Sequence, residues 1–348
     1  MGSLDRNQLL QLAQSSNLKH KSVLHSLKGP HGEDLFTDYF YTEAKSKNTV
    51  IHLSGLHGVE GYFGDLVQQD ILKLLAKDSQ LPFQLVIVHA VNPYGMAWCR
   101  RTNAKNVDLN RNSLKIYDIP NSHFERFSPF LDTNADWGSI EALLGVFVGF
   151  YTVGPKQMIQ SVACGQTDFP MSVFYAGSKL QPELESLKAT LLEIVPIENH
   201  LVVMDVHTGL GSHGQESLIV DGPDSQDEIQ FFEKVFQKKT IVPGKTRGIY
   251  QANGTIANLF YDDWNRDHVR YVCEEFGTRA FPVVLKALMK DNYLHHWQPD
   301  LTHEEKLKAW SDVSSRMLYA FFPEEQAWRS KCVATGVERF QQLVQNFK

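Results

Sequence analysis

His57 and Glu60 stand three apart in the stretch SGLHGVEGYFG, 54–64, directly after an apolar run at 49–53. A turn at this point has use for Gly55 or Gly58, but none for an imidazole and a carboxylate. Two such side chains on a tight turn leading into a helix can converge on one metal ion from one side. A catalytic zinc takes three protein ligands and keeps one position for water. The third ligand must come from elsewhere, and His207, in LVVMDVHTG at the end of another apolar run, fits. Such an ion lowers the pKa of its water towards ~7 and polarises a carbonyl. The water proton then needs a base, and a carboxylate such as Glu275 suits. The developing oxyanion needs a cation, which Arg101 can supply. A second arginine, Arg111, can grip a substrate carboxylate with both arms of its guanidinium. Together these residue types describe metal-assisted hydrolysis of an amide.

The elements that must position them are legible as periodicities. Apolar, β-branched runs at 49–53, 84–91, 200–206 and 270–276, with a weaker one at 217–220, read as strands. Helical spacing of apolar residues runs through 62–77, 182–195, 226–237, 283–294, 304–322 and 324–347. Strands alternating with helices give an α/β fold, a mainly parallel mixed sheet flanked by helices. Ligands of such sheets bind beyond the carboxyl ends of the strands. His57 and Glu60 follow the first run, NPYGMAWCRRTNAKNVDLNRN at 92–112 follows the second, and Asp205, His207, Glu274 and Glu275 sit at two further strand ends. The chain reads as one domain over 1–348. An insertion at 113–177, with one helix near 140–151, breaks the rhythm and is placed to cap the pocket.

These motifs together resemble the zinc carboxypeptidases. HxxE is their first ligand pair, here His57-Gly-Val-Glu60. Their GVDLNRN appears as Asn106-Val-Asp-Leu-Asn110-Arg111-Asn112, and Arg101 stands ten residues before Arg111, as is typical. The resemblance covers roughly 50–278 and implies the carboxypeptidase-like fold and one zinc per chain on His57, Glu60 and His207. It implies that Arg101 polarises the scissile carbonyl and that Asn110 and Arg111 bind the terminal carboxylate. IYQANGTI, 249–256, is similar to the segment whose tyrosine closes over substrate, here Tyr250; Ile256 then implies an apolar specificity pocket. DVHTG and EEFGT look more like the related aspartoacylase and succinylglutamate desuccinylase branch, which selects Glu275 over Glu274 as the acid/base. The overall likeness runs closest to a bacterial group of carboxypeptidase-like metallohydrolases, for which the resemblance implies chemistry but no substrate. A metallocarboxypeptidase acting on a peptide is the first expectation. An N-acyl amino acid deacylase is the second, and a non-catalytic carboxylate-binding module the third.

Several residues carry plainer readings. Asp205 is expected to support a ligand rather than to be one, and Arg100 to be a solvated surface charge. Tyr250 serves equally well as an ordinary turn residue. His295, His296 and His303 lie on late amphipathic helices and read as surface residues. Gly209–Gly214 spells GxGxxG after a strand, but another strand follows instead of the helix a dinucleotide site needs.

Composition excludes further classes. With 348 residues, 43% hydrophobic, the chain can bury a substantial core. Its net charge of −6 offers no electrostatic footprint for nucleic acid or anionic lipid. No apolar run approaches the ~20 residues of a membrane span. The opening residues lack a signal-peptide pattern, and Arg6 breaks a myristoylation signal. Four scattered cysteines without a CxxC pair suit a reducing compartment, so a cytoplasmic location is expected. The late helices suit core packing or a dimer surface alike.

Overall fold

The computed structural model describes residues 6–119, 121, 123–132, 154–221, 225–237, 241–244, 251–298 and 300–347. Eight strands form one sheet: β1 (Lys19–Lys28), β2 (Asp34–Tyr41), β3 (Asn48–Leu53), β4 (Gln84–His89), β5 (His200–Gly209), β6 (Glu216–Val220), β7 (Ile241–Pro243) and β8 (Val269–Gly277). Their order is β1-β2-β4-β3-β5-β8-β6-β7. The central strands β4, β3, β5 and β8 run parallel. β1 and β2 add an antiparallel edge on one side, and β6 returns antiparallel to β8 on the other. The expected α/β sheet flanked by helices is present.

Burial explains why the centre was legible. β3, β4 and β5 are buried almost throughout, as parallel strands covered on both faces must be. On one face Val50, Met204 and Val272 pack against Val67 and Ile71 of helix Gly61–Leu75 and Trp328 and Phe340 of helix Gln326–Asn346. On the other face Ile51, Val203 and Tyr271 meet Leu184 and Leu187 of helix Pro182–Ile194 and Phe260 of helix Ala257–Asp263. A third apolar cluster joins helices Phe281–His296 and His303–Phe321 to Val59, Phe124 and Phe174.

Three strands differ from expectation: β1, β2 and β7 have no counterpart among the apolar runs. β1, KHKSVLHSLK, is an edge strand exposed along most of its length, so it carries no apolar run. β7 has three residues. The Gly209–Gly214 loop does lead into a strand, β6. The helix expected near 140–151 lies outside the described residues. Within the proposed insertion, Phe124–Leu131 and Pro155–Ala163 are helical.

Of the side chains expected at the surface, Arg100 and His295 are inside and His296 is half-buried. Arg100 is 1% exposed; its Nε donates to Asp291 Oδ2 at 3.1 Å and its Nη2 lies 2.7 Å from His296 Nε2. His295 is buried beside Asp291 and stands edge-on to the Trp98 ring. Helix Phe281–His296 is buried on more than one side, and an amphipathic pattern cannot reveal that its polar stripe faces another polar cluster. Among the described residues, no helix is long and apolar enough to cross a membrane.

Candidate metal centre

β3 ends at Leu53, and the chain turns sharply through Gly55, whose φ of +67° suits glycine. Gly58 has a different reason to be glycine: a Cβ there would lie 2.0 Å from the Gly95 carbonyl carbon and 2.1 Å from the Met96 nitrogen. The turn is therefore pressed against helix Pro93–Ala97. Val59 N donates to Arg100 O at 2.8 Å, which brings the arginine segment alongside Glu60. His207 arrives from the end of β5, next to β3 in the sheet.

These three side chains converge. One ligand atom from each of His57, Glu60 and His207 lies within 4.8 Å of the others, a group able to hold a metal ion. The Nδ1 atoms of the two histidines are 3.2 Å apart. His57 Nδ1 is 2.9 Å from Glu60 Oε1, and His207 Nδ1 is 3.0 Å from Glu60 Oε2. The outward nitrogens are held by other carboxylates: His57 Nε2 lies 3.1 Å from Asp108 Oδ1, and His207 Nε2 lies 2.8 Å from Asp205 Oδ2. A ring held at one nitrogen by a carboxylate presents its other nitrogen as a lone pair, which is how metal-binding histidines are oriented. The donor set thus fits a divalent ion with nitrogen and oxygen ligands.

The electrostatics agree. Burial pushes Glu60 up, but the charges and hydrogen bonds of His57 and His207 outweigh it and hold the carboxyl below its usual range. Burial likewise opposes ionisation of Asp108, yet Arg101, His57 and Arg111 hold it well below the ordinary value. Burial disfavours charge on His207, and Asp205 beside it overcomes this and raises its pKa. Glu60 and Asp108 are thereby held as carboxylates beside the two histidines.

The other expected site residues divide into groups. Arg101 donates from Nη1 to Glu60 Oε1 at 3.2 Å and from Nε to Asp108 Oδ2 at 3.0 Å. Arg111 is buried, with Nε and Nη2 donating to Ala163 O and Nη1 to Asn110 O. Asn110 Oδ1 accepts from Ile256 N at 3.0 Å. Glu275 pairs in register with His207 on the neighbouring strand, and its Oε1 accepts from Leu210 N at 2.9 Å. Adjacent strand residues alternate faces, and Glu274 points the other way, towards Gly336 of helix Gln326–Asn346. Tyr250 lies outside the described residues.

His57, Glu60, Arg101, Asn110, Arg111, His207 and Glu275 all line one cavity of about 380 Å³. Its remaining wall is largely apolar, from Phe281, Val284 and Leu288 of one helix and Phe321 of another. Ile256 is not part of that wall; it is fully buried in the core behind Asn110.

Two supporting groups were not singled out from the sequence. Asp108 sits in the same NVDLNRN run as Asn110 and Arg111, so its carboxylate was in view without a stated role. Phe174, whose ring lies 5.5 Å from the Arg101 guanidinium carbon and 6.0 Å from that of Arg111, comes from the stretch 113–177, where no periodicity pointed to it.

Residues 3–335 match the profile of a family described as "Protein of unknown function (DUF2817)". The chain belongs to the DUF2817 family. No curated protein matches it. Among solved structures it is similar to thrombin activatable fibrinolysis inhibitor, at 16% identity over 89% of this chain and 72% of that one, TM-score 0.42. It is also similar to an aspartoacylase family protein from Mesorhizobium loti, at 16% identity over 80% and 67%, TM-score 0.38. A third is the succinylglutamate desuccinylase from Chromobacterium violaceum, at 14% identity over 91% and 74%, TM-score 0.37. At these identities their substrates do not transfer to this chain.

Proposed function

We propose that the protein is a zinc-dependent hydrolase that cleaves an amide bond beside a free carboxylate, acting first on C-terminal peptide bonds. The observation that carries this reading is the orientation of the two histidines. Each gives its outward nitrogen to a carboxylate and its Nδ1 to a common point with Glu60. His57, Glu60 and His207 would hold one ion per chain. When bound there, zinc would lower the pKa of a water towards ~7 and polarise the scissile carbonyl.

The chain's own residues do the remaining work. Glu275, held at Oε1 by Leu210 N, takes the proton of the attacking water and returns it to the leaving nitrogen. Arg101, fixed between Glu60 and Asp108, donates to the carbonyl oxygen as negative charge develops there. Asn110 and Arg111 orient the substrate carboxylate. Phe281, Val284, Leu288 and Phe321 favour an apolar group on the substrate. Ala163 and Phe174, both from the insertion at 113–177, wall the same cavity and support a role for that segment in limiting substrate size.

The test is metal content by elemental analysis of wild type and His57→Ala, followed by hydrolysis of a panel of peptides and N-acyl amino acids. About one zinc per chain, lost in the variant, with release of C-terminal residues, is expected. A wild type that takes up no zinc on reconstitution would overturn the reading.

A further inference from the structure

Asp205 stands between two donors. Its Oδ2 lies 2.8 Å from His207 Nε2 and accepts the Tyr271 hydroxyl, also at 2.8 Å. Asp205 is 0% exposed and Tyr271 1%, so water does not compete for either bond. The register of β5 and β8 explains the meeting. Val203 pairs with Tyr271 and Asp205 with Cys273, so Tyr271 sits one step behind Asp205 on the same face of the neighbouring strand. Side chains on strands lean along the strand, and a tyrosine is long enough to carry its hydroxyl forward to the carboxylate.

We infer that Tyr271 is a positioning residue for the metal centre: its hydroxyl fixes the Asp205 carboxylate, which fixes the ring plane and tautomer of His207. This rests on the metal-centre reading above. A carboxylate held by one partner can turn about its last torsion, and the His207 ring would turn with it. A second donor on the same oxygen removes that freedom. Bonds to an ionised acceptor are roughly twice as strong as neutral ones, and the pair is enclosed in protein.

The competing account is that Tyr271 fills core space and its hydroxyl merely finds the nearest acceptor. Phenylalanine would fill nearly the same space, so the hydroxyl alone separates the two accounts. Tyr261 provides a comparison within the same apolar cluster: it is buried, and its hydroxyl donates to Glu228 instead.

The experiment compares full-length wild type, Tyr271→Phe, Tyr261→Phe, Asp205→Asn and the Asp205→Asn/Tyr271→Phe double variant. Zinc affinity is measured by chelator competition, ligand geometry by the visible spectrum of the cobalt-substituted protein, and fold integrity by the Tm of the metal-free form. Tyr271→Phe is expected to weaken zinc binding about tenfold and to shift the cobalt bands. Its metal-free Tm should fall no further than that of Tyr261→Phe, which should bind zinc like wild type. In the Asp205→Asn background the tyrosine change should add less than about twofold, because the two act through one oxygen. Wild-type affinity and spectrum in Tyr271→Phe would overturn the inference, as would an undiminished loss in the double variant. Wild type that binds no metal at all would overturn the metal-centre reading and this inference together, a result distinct from either of those.

Discussion

Nδ1 of His57 lies 3.2 Å from Nδ1 of His207, although 150 residues separate them in the chain. Two imidazoles face each other this closely only because their far nitrogens are anchored to Asp108 and Asp205 and a single carboxylate, Glu60, lies against both near ones. The sheet makes the meeting possible, since β3 and β5 are hydrogen-bonded neighbours. The predictions that follow treat each anchor and each pocket group separately.

Asp108 serves two proposed functional side chains at once, accepting from His57 on Oδ1 and from Arg101 on Oδ2. Asp108→Asn keeps the shape but replaces one acceptor oxygen with a donor. Zinc affinity is expected to fall about 10- to 100-fold, the usual cost of losing a carboxylate behind a metal-bound histidine. Chelator competition checks this, and unchanged affinity would remove Asp108 from the site.

Glu275 and Glu274 are neighbours on β8 with opposite surroundings. Glu275 lines the cavity, whereas Glu274 faces helix Gln326–Asn346. Glu275→Gln should retain zinc and lose about 10²- to 10⁴-fold in kcat, the range for a general acid–base group. Glu274→Gln should leave kcat within a few-fold and register in thermal stability instead. The reverse pattern would make Glu274 the base and overturn the assignment to Glu275.

Arg111 is fastened by Ala163 O and Asn110 O, so its guanidinium plane is set before any substrate arrives. Lysine keeps the charge and loses the planar fork. Arg111→Lys is expected to raise KM for a substrate with a free carboxylate by about tenfold or more while kcat changes little, the signature of lost uniform binding. An amidated analogue of the same substrate should show no such difference. Equal effects on both substrates would separate Arg111 from the carboxylate.

What the sequence disclosed follows from how each feature is encoded. The four central strands were legible because burial on both faces demands unbroken apolar runs, as in Gln84–His89. The group of His57, Glu60 and His207 was legible because its residues sit at the ends of such runs, where parallel sheets gather ligands. β1 escaped because an edge strand half in water can be written in lysine, histidine and serine. Arg100 was misread because its partners, Asp291 and His296, lie about 190 residues away on a helix whose pattern does not show what it packs against. Tyr271 looked like one more apolar member of a strand. Only the register between β5 and β8 reveals that its hydroxyl reaches Asp205.

Glu228 gives the protein a pH dependence of stability that is separate from the site. Burial pushes its carboxyl up to about 7, against opposing hydrogen bonds from the Tyr261 hydroxyl and the Tyr271 backbone. The folded value lies above the unfolded one of 4.5, so between those limits the folded protein binds more protons than the unfolded chain. Stability from this group is therefore fully present below about pH 4.5 and falls as pH rises through 7. Glutamine keeps an oxygen for Tyr261 and has nothing to ionise. Glu228→Gln is expected to gain on wild type as pH rises, with the Tm difference at pH 8 exceeding that at pH 5 by about 1–3 °C. Differential scanning calorimetry at the two pH values checks it. A difference that is flat or shrinks with rising pH would mean that Glu228 is already ionised in the folded protein at neutral pH.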